Sequence, residues 1–282
     1  MADPSRIAHA RHKLLQAIRA FFHDHGYIEV STPIRIRTPA LEDTITAIES
    51  SGSYLRTSPE LHMKRLLAEG LEKIYQIGPC FRASEQGRLH HTEFTMLEWY
   101  EAGKDYLDMM EFISELISSL AREFQFNINE LQQIELETAF ENWSSISLWE
   151  ALATDNFEDE LVSAIEANLN NHILYKFPAE HAAMSRIHTD IRFCERWELY
   201  LNGIEIANCY TELTNQEEQL KRFNQTIEYR KNNNLKNYPV DMQFIDAMDT
   251  IPESAGVALG IERLLMQLTN KKDISEVTHF ME

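Results

Sequence analysis

Near the start of the chain, apolar side chains recur at Leu14, Leu15, Ile18, Phe21 and Phe22, one face of a helix predicted over residues 5–25. Gly26 is its stop, because glycine takes the left-handed backbone of a helix end without steric cost. Residues 27–32 then read as a strand that Pro33, lacking an amide hydrogen, brings to an end. A Ser58-Pro59 start precedes a helix over 60–68. Two strand-like runs, 74–81 and 93–100, flank a polar stretch and form the arms of a long hairpin. Leu107, Met110, Ile113, Leu116, Ile117 and Leu120 mark a helix over 106–124. From 127 to 176 the periodicity weakens into short helical pieces at 148–152 and 161–169. Strands resume at 173–177 and 196–201, then a polar helix over 216–233 and a short one within 239–249. A glycine-rich strand entering a helix closes the pattern. With no repeat or linker, the chain reads as a single α+β domain over 1–282.

The hairpin carries the most chemistry. Residues 81–100 read FRASEQGRLHHTEFTMLEWY, with two arginines, two histidines and three glutamates between strand-like runs. Alternate strand side chains share a face, so Phe94, Met96, Glu98 and Tyr100 point one way. A solvated hairpin would not place two apolar groups beside them, and a sealed core would not hold an unpaired carboxylate at a cost of several kcal/mol. A pocket that receives a cation accommodates both.

Charge and cysteines bound the remaining possibilities. Lys+Arg 26 against Asp+Glu 45 gives a net charge of −19, and residues 125–175 hold no lysine or arginine at all. Affinity for nucleic acid rests on cations that neutralise phosphates, so tRNA is not an expected partner. The apolar runs are too short to span a bilayer, and the N-terminal sequence lacks a secretory signal. Cys80, Cys194 and Cys209 lack metal-ligand spacing and fit small buried hydrophobes in a reducing cytoplasm.

The stretch 81–100 resembles motif 2 of the class II aminoacyl-tRNA synthetases, in their lysyl branch. Companion motifs stand in the right order. Residues 26–33, GYIEVSTP, resemble motif 1, and residues 256–263, GVALGIER, resemble motif 3. Residues 57–61, TSPEL, and 203–208, GIEIAN, match as well, so the resemblance covers nearly the whole chain. It implies an antiparallel sheet flanked by helices, a homodimer joined through the motif 1 element, and a variable insertion, here abbreviated, around 127–176. Too few residues precede the motif 1 helix for the anticodon-binding β-barrel of lysyl-tRNA synthetases. The elongation factor P–lysine ligase family has that arrangement, and it reads GVALG where lysyl-tRNA synthetases have glycine in place of Ala258. One added methyl in a pocket wall shifts specificity by about 1–3 kcal/mol.

The resemblance implies an ATP-dependent ligase that activates lysine or (R)-β-lysine as an aminoacyl-adenylate and transfers it to a lysine side chain of elongation factor P. Arg82 would bridge the substrate carboxylate and the α-phosphate, and Arg263 would hold the γ-phosphate and the adenine. Arg88, His90 and His91 lie in the phosphate-contacting loop, Phe94 would stack on adenine, and Ile206 and Gly260 complete the ATP site. Glu198 and Glu205 would hold Mg²⁺; without the resemblance, they would read as surface partners across the Asn202-Gly203 turn. Glu98, Tyr100, Asn208 and Glu212 would surround the substrate's side-chain ammonium, Glu60 would lie near its backbone-side amine, Ser58 and Pro59 would join the substrate site, and Ala258 would line the wall.

Three departures from the pattern stand out. Ser84 replaces the glutamate that reads adenine, with Glu85 one place later; His91-Thr92 replaces Asn-Pro; and Cys209 replaces a glycine beside the ammonium site. Two other readings stay open on the residues alone. One is a truncated lysyl-tRNA synthetase-like activator with another acceptor. The other is a catalytically silent amino-acid-binding paralogue, against which Arg82, Arg263, Glu198 and Glu205 argue.

Overall fold

The computed structural model describes residues 4–280. Helix α1 (Pro4–Asp24) ends at Gly26, whose φ of 77° turns the chain into β1 (Ile28–Glu29). The expected strand over 27–32 is cut to these two residues. Beyond them the Thr32 amide donates to the Gln76 side chain at 2.8 Å instead of to a ladder partner. A small sheet follows, in the order β2 (Arg35–Ile36), β4 (Ser53–Leu55), β3 (Glu49–Ser50). Helix α2 (Glu60–Ala68) starts at Pro59 as predicted. The hairpin of β5 (Lys73–Phe81) and β6 (Glu93–Ala102) and the helix α3 (Tyr106–Phe124) also lie where the periodicity placed them.

The weakly patterned segment is a crossover. Strand β7 (Gln132–Glu135) leads through α4 (Leu136–Trp143), α5 (Leu148–Ala153) and α6 (Phe157–Glu160) to β8 (Asn171–Tyr175). Residues 161–169, expected as a helix, form one wide π turn and one 3₁₀ turn. Strands β9 (Arg196–Leu201) and β10 (Ile204–Thr211) make a second hairpin; α7 (Gln216–Asn232), α8 (Met242–Ala247), β11 (Ser254–Gly260) and α9 (Ile261–Leu268) follow.

Eight strands join in the order β1-β5-β6-β11-β10-β9-β8-β7. The six central strands are antiparallel, as expected, but β1·β5 and β7·β8 are parallel, so the sheet is mixed at both edges. Parallel neighbours need long crossovers, and the two long connections, 30–72 and 136–170, supply them. Helices α1, α3 and α9 bury one face through residues such as Phe22, Trp99, Ile113 and Leu264. The other face packs α2, α7 and α8 around Met63, Phe223 and Phe244, and there the cleft opens. Among the described residues no helix is long and apolar enough to cross a membrane.

Candidate active site

Alternation along the central strands decides what faces the cleft. In β6, Leu97 and Trp99 enter the core while Met96, Glu98 and Tyr100 line the cleft. In β11, Ala255, Val257 and Leu259 are core residues, which turns Gly256, Ala258 and Gly260 the other way. Strand β10 would break this scheme if it were regular. A bulge between Glu205 and Ala207 shifts the register, so Glu205 lies opposite Tyr200 and Asn208 opposite Glu198. Such a bulge reverses the inward and outward parity. It sends Ala207 and Cys209 to the core and brings Asn208 and Tyr210 to the cleft.

The cleft is lined by Glu42, Ser58, Glu60, Arg82, Met96, Glu98, Tyr100, Asn208, Tyr210, Glu212, Gly256 and Ala258, among others. At its floor Ser58 Oγ donates to Glu98 Oε2 at 2.8 Å and Tyr100 Oη to Glu98 Oε1 at 2.6 Å. Gly256 makes this packing possible. A Cβ there would lie 2.2 Å from the Tyr100 ring and 2.6 Å from Glu212 Oε1, so no other residue leaves both in place. Asn208 is oriented from two sides: Arg196 Nε donates to its Oδ1 at 3.2 Å, and its own Nδ2 donates to Tyr210 Oη at 2.9 Å. Lys64, 1% exposed, pairs with Glu60 at 2.6 Å and with Glu212. Burial would discharge it, but the Glu212 and Glu60 carboxylates outweigh burial and hold it protonated. Burial likewise pushes the Glu98 carboxyl up, with the Glu60 charge adding to the effect. It pushes Glu212 up too, against the pull of Lys64.

The predicted substrate residues Ser58, Glu60, Glu98, Tyr100, Asn208, Glu212 and Ala258 therefore meet in one place. Pro59 does not join them; it is buried as the N-cap of α2 and sets where that helix starts. Arg82 stands at the cleft wall with its guanidinium over the Phe94 ring, 5.2 Å from the centroid. Its Nε is buried without a partner, and its one ion pair among the described residues, to Glu85, is long at 3.6 Å. Ser84 is exposed in the left-handed region at φ 65°, so Glu85 is the residue that reaches Arg82.

Arg263 gathers the outer rim. It donates to the Glu205 carbonyl at 2.9 Å and carboxylate at 3.2 Å, to the Leu89 carbonyl at 3.3 Å, and touches His90 Nε2. Burial and then Arg263 push the His90 ring below its usual range, so it meets that arginine uncharged. Arg88 turns away, donating to the Lys272 carbonyl at 2.9 Å, and His91 Nδ1 lies 2.8 Å from the carbonyl of Glu93 within its own turn. The Ile206 side chain is in the core, leaving only its backbone for a ligand. Gly260 caps α9 with no crowding around it. Glu198 is 6% exposed and not a surface partner of Glu205; Arg196 and Tyr200 bond its two oxygens. The described residues form no cluster of three or more metal-ligating side chains, although Glu166 shares the Tyr200 hydroxyl with Glu198, at 3.2 and 2.7 Å.

Sequence reasoning missed four residues of this site. Lys64 had a signal, four residues after Glu60 on one helix. Tyr210 had one too, two residues after Asn208 on the same strand face. Gly256 opens the glycine-rich motif at 256–263, whereas Glu42 sits in a loop whose sequence shows nothing.

A family model for class II tRNA synthetases (D, K and N) matches residues 2–282. The chain belongs to this family. Among its class II relatives, a protein of Hamiltonella defensa named elongation factor P–(R)-β-lysine ligase is 35% identical over 96% of this chain and 93% of its own length. A protein of the same name from Yersinia enterocolitica is 34% identical over the same shares. In this chain the glycine-rich strand β11 lies between the β5–β6 hairpin and the β9–β10 hairpin.

Proposed function

We propose that the protein activates lysine or (R)-β-lysine with ATP and transfers it to a lysine side chain of elongation factor P. The observation that carries this reading is the pairing of two unlike ends in one cleft. At one end Arg82 keeps an unpartnered buried donor over an aromatic ring, and at the other Glu98 and Glu212 line a small space with Tyr100 and Asn208. An anion and a flat base suit the first end, an ammonium the second. The names of the relatives add the acceptor and the β-amino acid.

In this reading a substrate carboxylate oxygen attacks the α-phosphorus of ATP, the bond to the β-phosphate breaks and pyrophosphate leaves. Arg82 draws the two anions together and steadies the charge that builds between them. Phe94 supports the adenine and Arg263 the terminal phosphate. The acceptor amine then attacks the adenylate carbonyl, AMP leaves, and the amine gives up a proton. Glu198 and Glu205 offer the hard oxygen donors that Mg²⁺ takes, with Glu198 already fixed by Arg196 and Tyr200. When bound, the ion offsets phosphate charge. Ile28 and Ile34, 54% and 42% exposed beside the sheet edge, support the family's homodimer, which light scattering at twice the 32.9 kDa chain mass would check.

Labelled pyrophosphate should enter ATP only when lysine or (R)-β-lysine is added, and the labelled amino acid should then appear on elongation factor P. Absence of exchange with both amino acids refutes activation; exchange without transfer assigns a different acceptor.

Proton linkage gives a second check. The Glu98 and Glu212 carboxyls are held above their ordinary range by burial, and that of Glu42 is pushed up to about 7, so protons are retained near neutrality. An incoming ammonium favours the ionised forms and expels those protons. Lysine affinity should therefore rise from about pH 6 to about pH 8, with proton release visible by calorimetry in buffers of different ionisation enthalpy. Proton uptake, or affinity that falls over this range, would contradict the assignment.

A further inference from the structure

One cleft residue takes no part in the bond-making steps and has no substrate group assigned to it. Glu42 lies in the irregular connection between β2 and β3, yet that connection is firmly held. Arg230, fully buried in α7, donates through Nη1 to the carbonyls of Glu42, Asp43 and Ile45 at 2.6, 3.2 and 2.8 Å. Tyr238 Oη accepts the Ala47 amide at 2.8 Å, and Leu41 is buried in the core under α8. The Ala83 amide donates to the Thr46 carbonyl at 2.7 Å, which ties the loop to the residue after Arg82. A buried arginine bound to three carbonyls within four loop residues fixes a backbone, and what this backbone presents to the cleft is the Glu42 carboxylate.

That carboxylate is placed for a ligand more than for the fold. Burial acts on it most, followed by the charges of Arg82, Glu60, Glu85 and Arg230, and none of these groups reaches it through a side-chain hydrogen bond. Of the opposite charges that act on it Arg82 acts most, both side chains line the cleft, and the Ala83–Thr46 bond ties its loop to the strand end that carries Arg82, so it belongs to the end of the cleft where the substrate carboxylate reacts. Glu98 and Tyr100 form the other end.

We infer that Glu42 is a further substrate-binding residue that shares with Glu60 the ammonium adjacent to the reacting carboxylate, and so selects diamino acids over those lacking that amine. The inference rests on the amino-acid-activating function proposed above. A carboxylate on this wall complements an amine on the second or third carbon, whereas 6-aminohexanoate carries none there and gains nothing from it.

The test compares wild type, Glu42→Gln and Glu42→Ala by pyrophosphate exchange. It measures kcat/KM for lysine and (R)-β-lysine, the inhibition constant of 6-aminohexanoate, and the KM for ATP. Glu42→Gln should lower kcat/KM for the better diamino acid by about 10–100-fold, the weight of one charge-assisted hydrogen bond. The 6-aminohexanoate constant and the KM for ATP should stay within about twofold of wild type. An equal loss toward 6-aminohexanoate, or a loss confined to ATP, would overturn the inference, as would an unchanged kcat/KM in a folded variant. If wild type itself exchanges with neither diamino acid, the proposed function fails first, and that failure is distinct because it precedes any effect of the substitution.

Discussion

Arg82→Gln lowers lysine-dependent pyrophosphate exchange by about 10³-fold while leaving the protein folded. The size follows from what this side chain does and does not hold. It makes one long ion pair, 3.6 Å to Glu85, and rests on Phe94, but its Nε is buried without a partner. A buried unpaired donor costs about 1–3 kcal/mol in the resting protein. A ligand oxygen removes that cost, so the interaction is stronger with substrate than without. Two anions approaching each other would gain most from the guanidinium as negative charge concentrates between them, which makes the loss appear in kcat as well as in KM. Few native contacts depend on Arg82, so the unfolding midpoint should move by only about 2 °C. Arg82→Lys keeps the charge but not the planar fork and should remain at least about tenfold below wild type. Exchange by Arg82→Gln within tenfold of wild type would remove Arg82 from the reaction.

Much of this architecture was legible because two periods dominate the chain. Residues 106–124 repeat at helical spacing, and residues 93–100 alternate, so the pattern alone places α3 and β6 and marks the cleft face of β6. The family motifs then located the remaining wall on β10 and β11. What stayed hidden has physical causes. The bulge at Glu205–Ala207 leaves no mark in composition, yet without it Asn208 would face the core and Cys209 the cleft. Cys209 is thus a departure from the motif in sequence but lies in the core, with its thiol pushed well above the ordinary range by burial. The parallel edge strands depend on crossovers whose pairing is set by partners about 40 residues away, beyond any local window. Glu42 depends on Arg230, nearly two hundred residues downstream. Only contact, not pattern, reveals such a pair.

Lys64→Met should destabilise the protein by about 3–5 kcal/mol near pH 8, because it leaves carboxylates buried without their counter-charge. Lys64 is 1% exposed and its two partners, Glu60 and Glu212, both lie in the cleft; Glu212 itself is only 3% exposed. Methionine matches the stem in volume, so the change is electrical more than steric. The carboxyls left behind relieve the strain by taking up protons. Burial already holds Glu212 above its usual range, and with Lys64 gone nothing opposes that push. A carboxyl raised in the folded state stabilises the fold below its unfolded pKa and loses that contribution as pH rises through the folded one. The deficit of Lys64→Met should therefore be small near pH 5 and grow toward pH 8, read by urea unfolding at both. Adding Glu212→Gln to Lys64→Met removes the stranded charge and should recover more than half of the loss, since deleting both partners of a buried pair is nearly neutral. A pH-independent deficit that the second substitution does not relieve would mean that Lys64 matters for packing alone, and that the charge state of the cleft is set elsewhere.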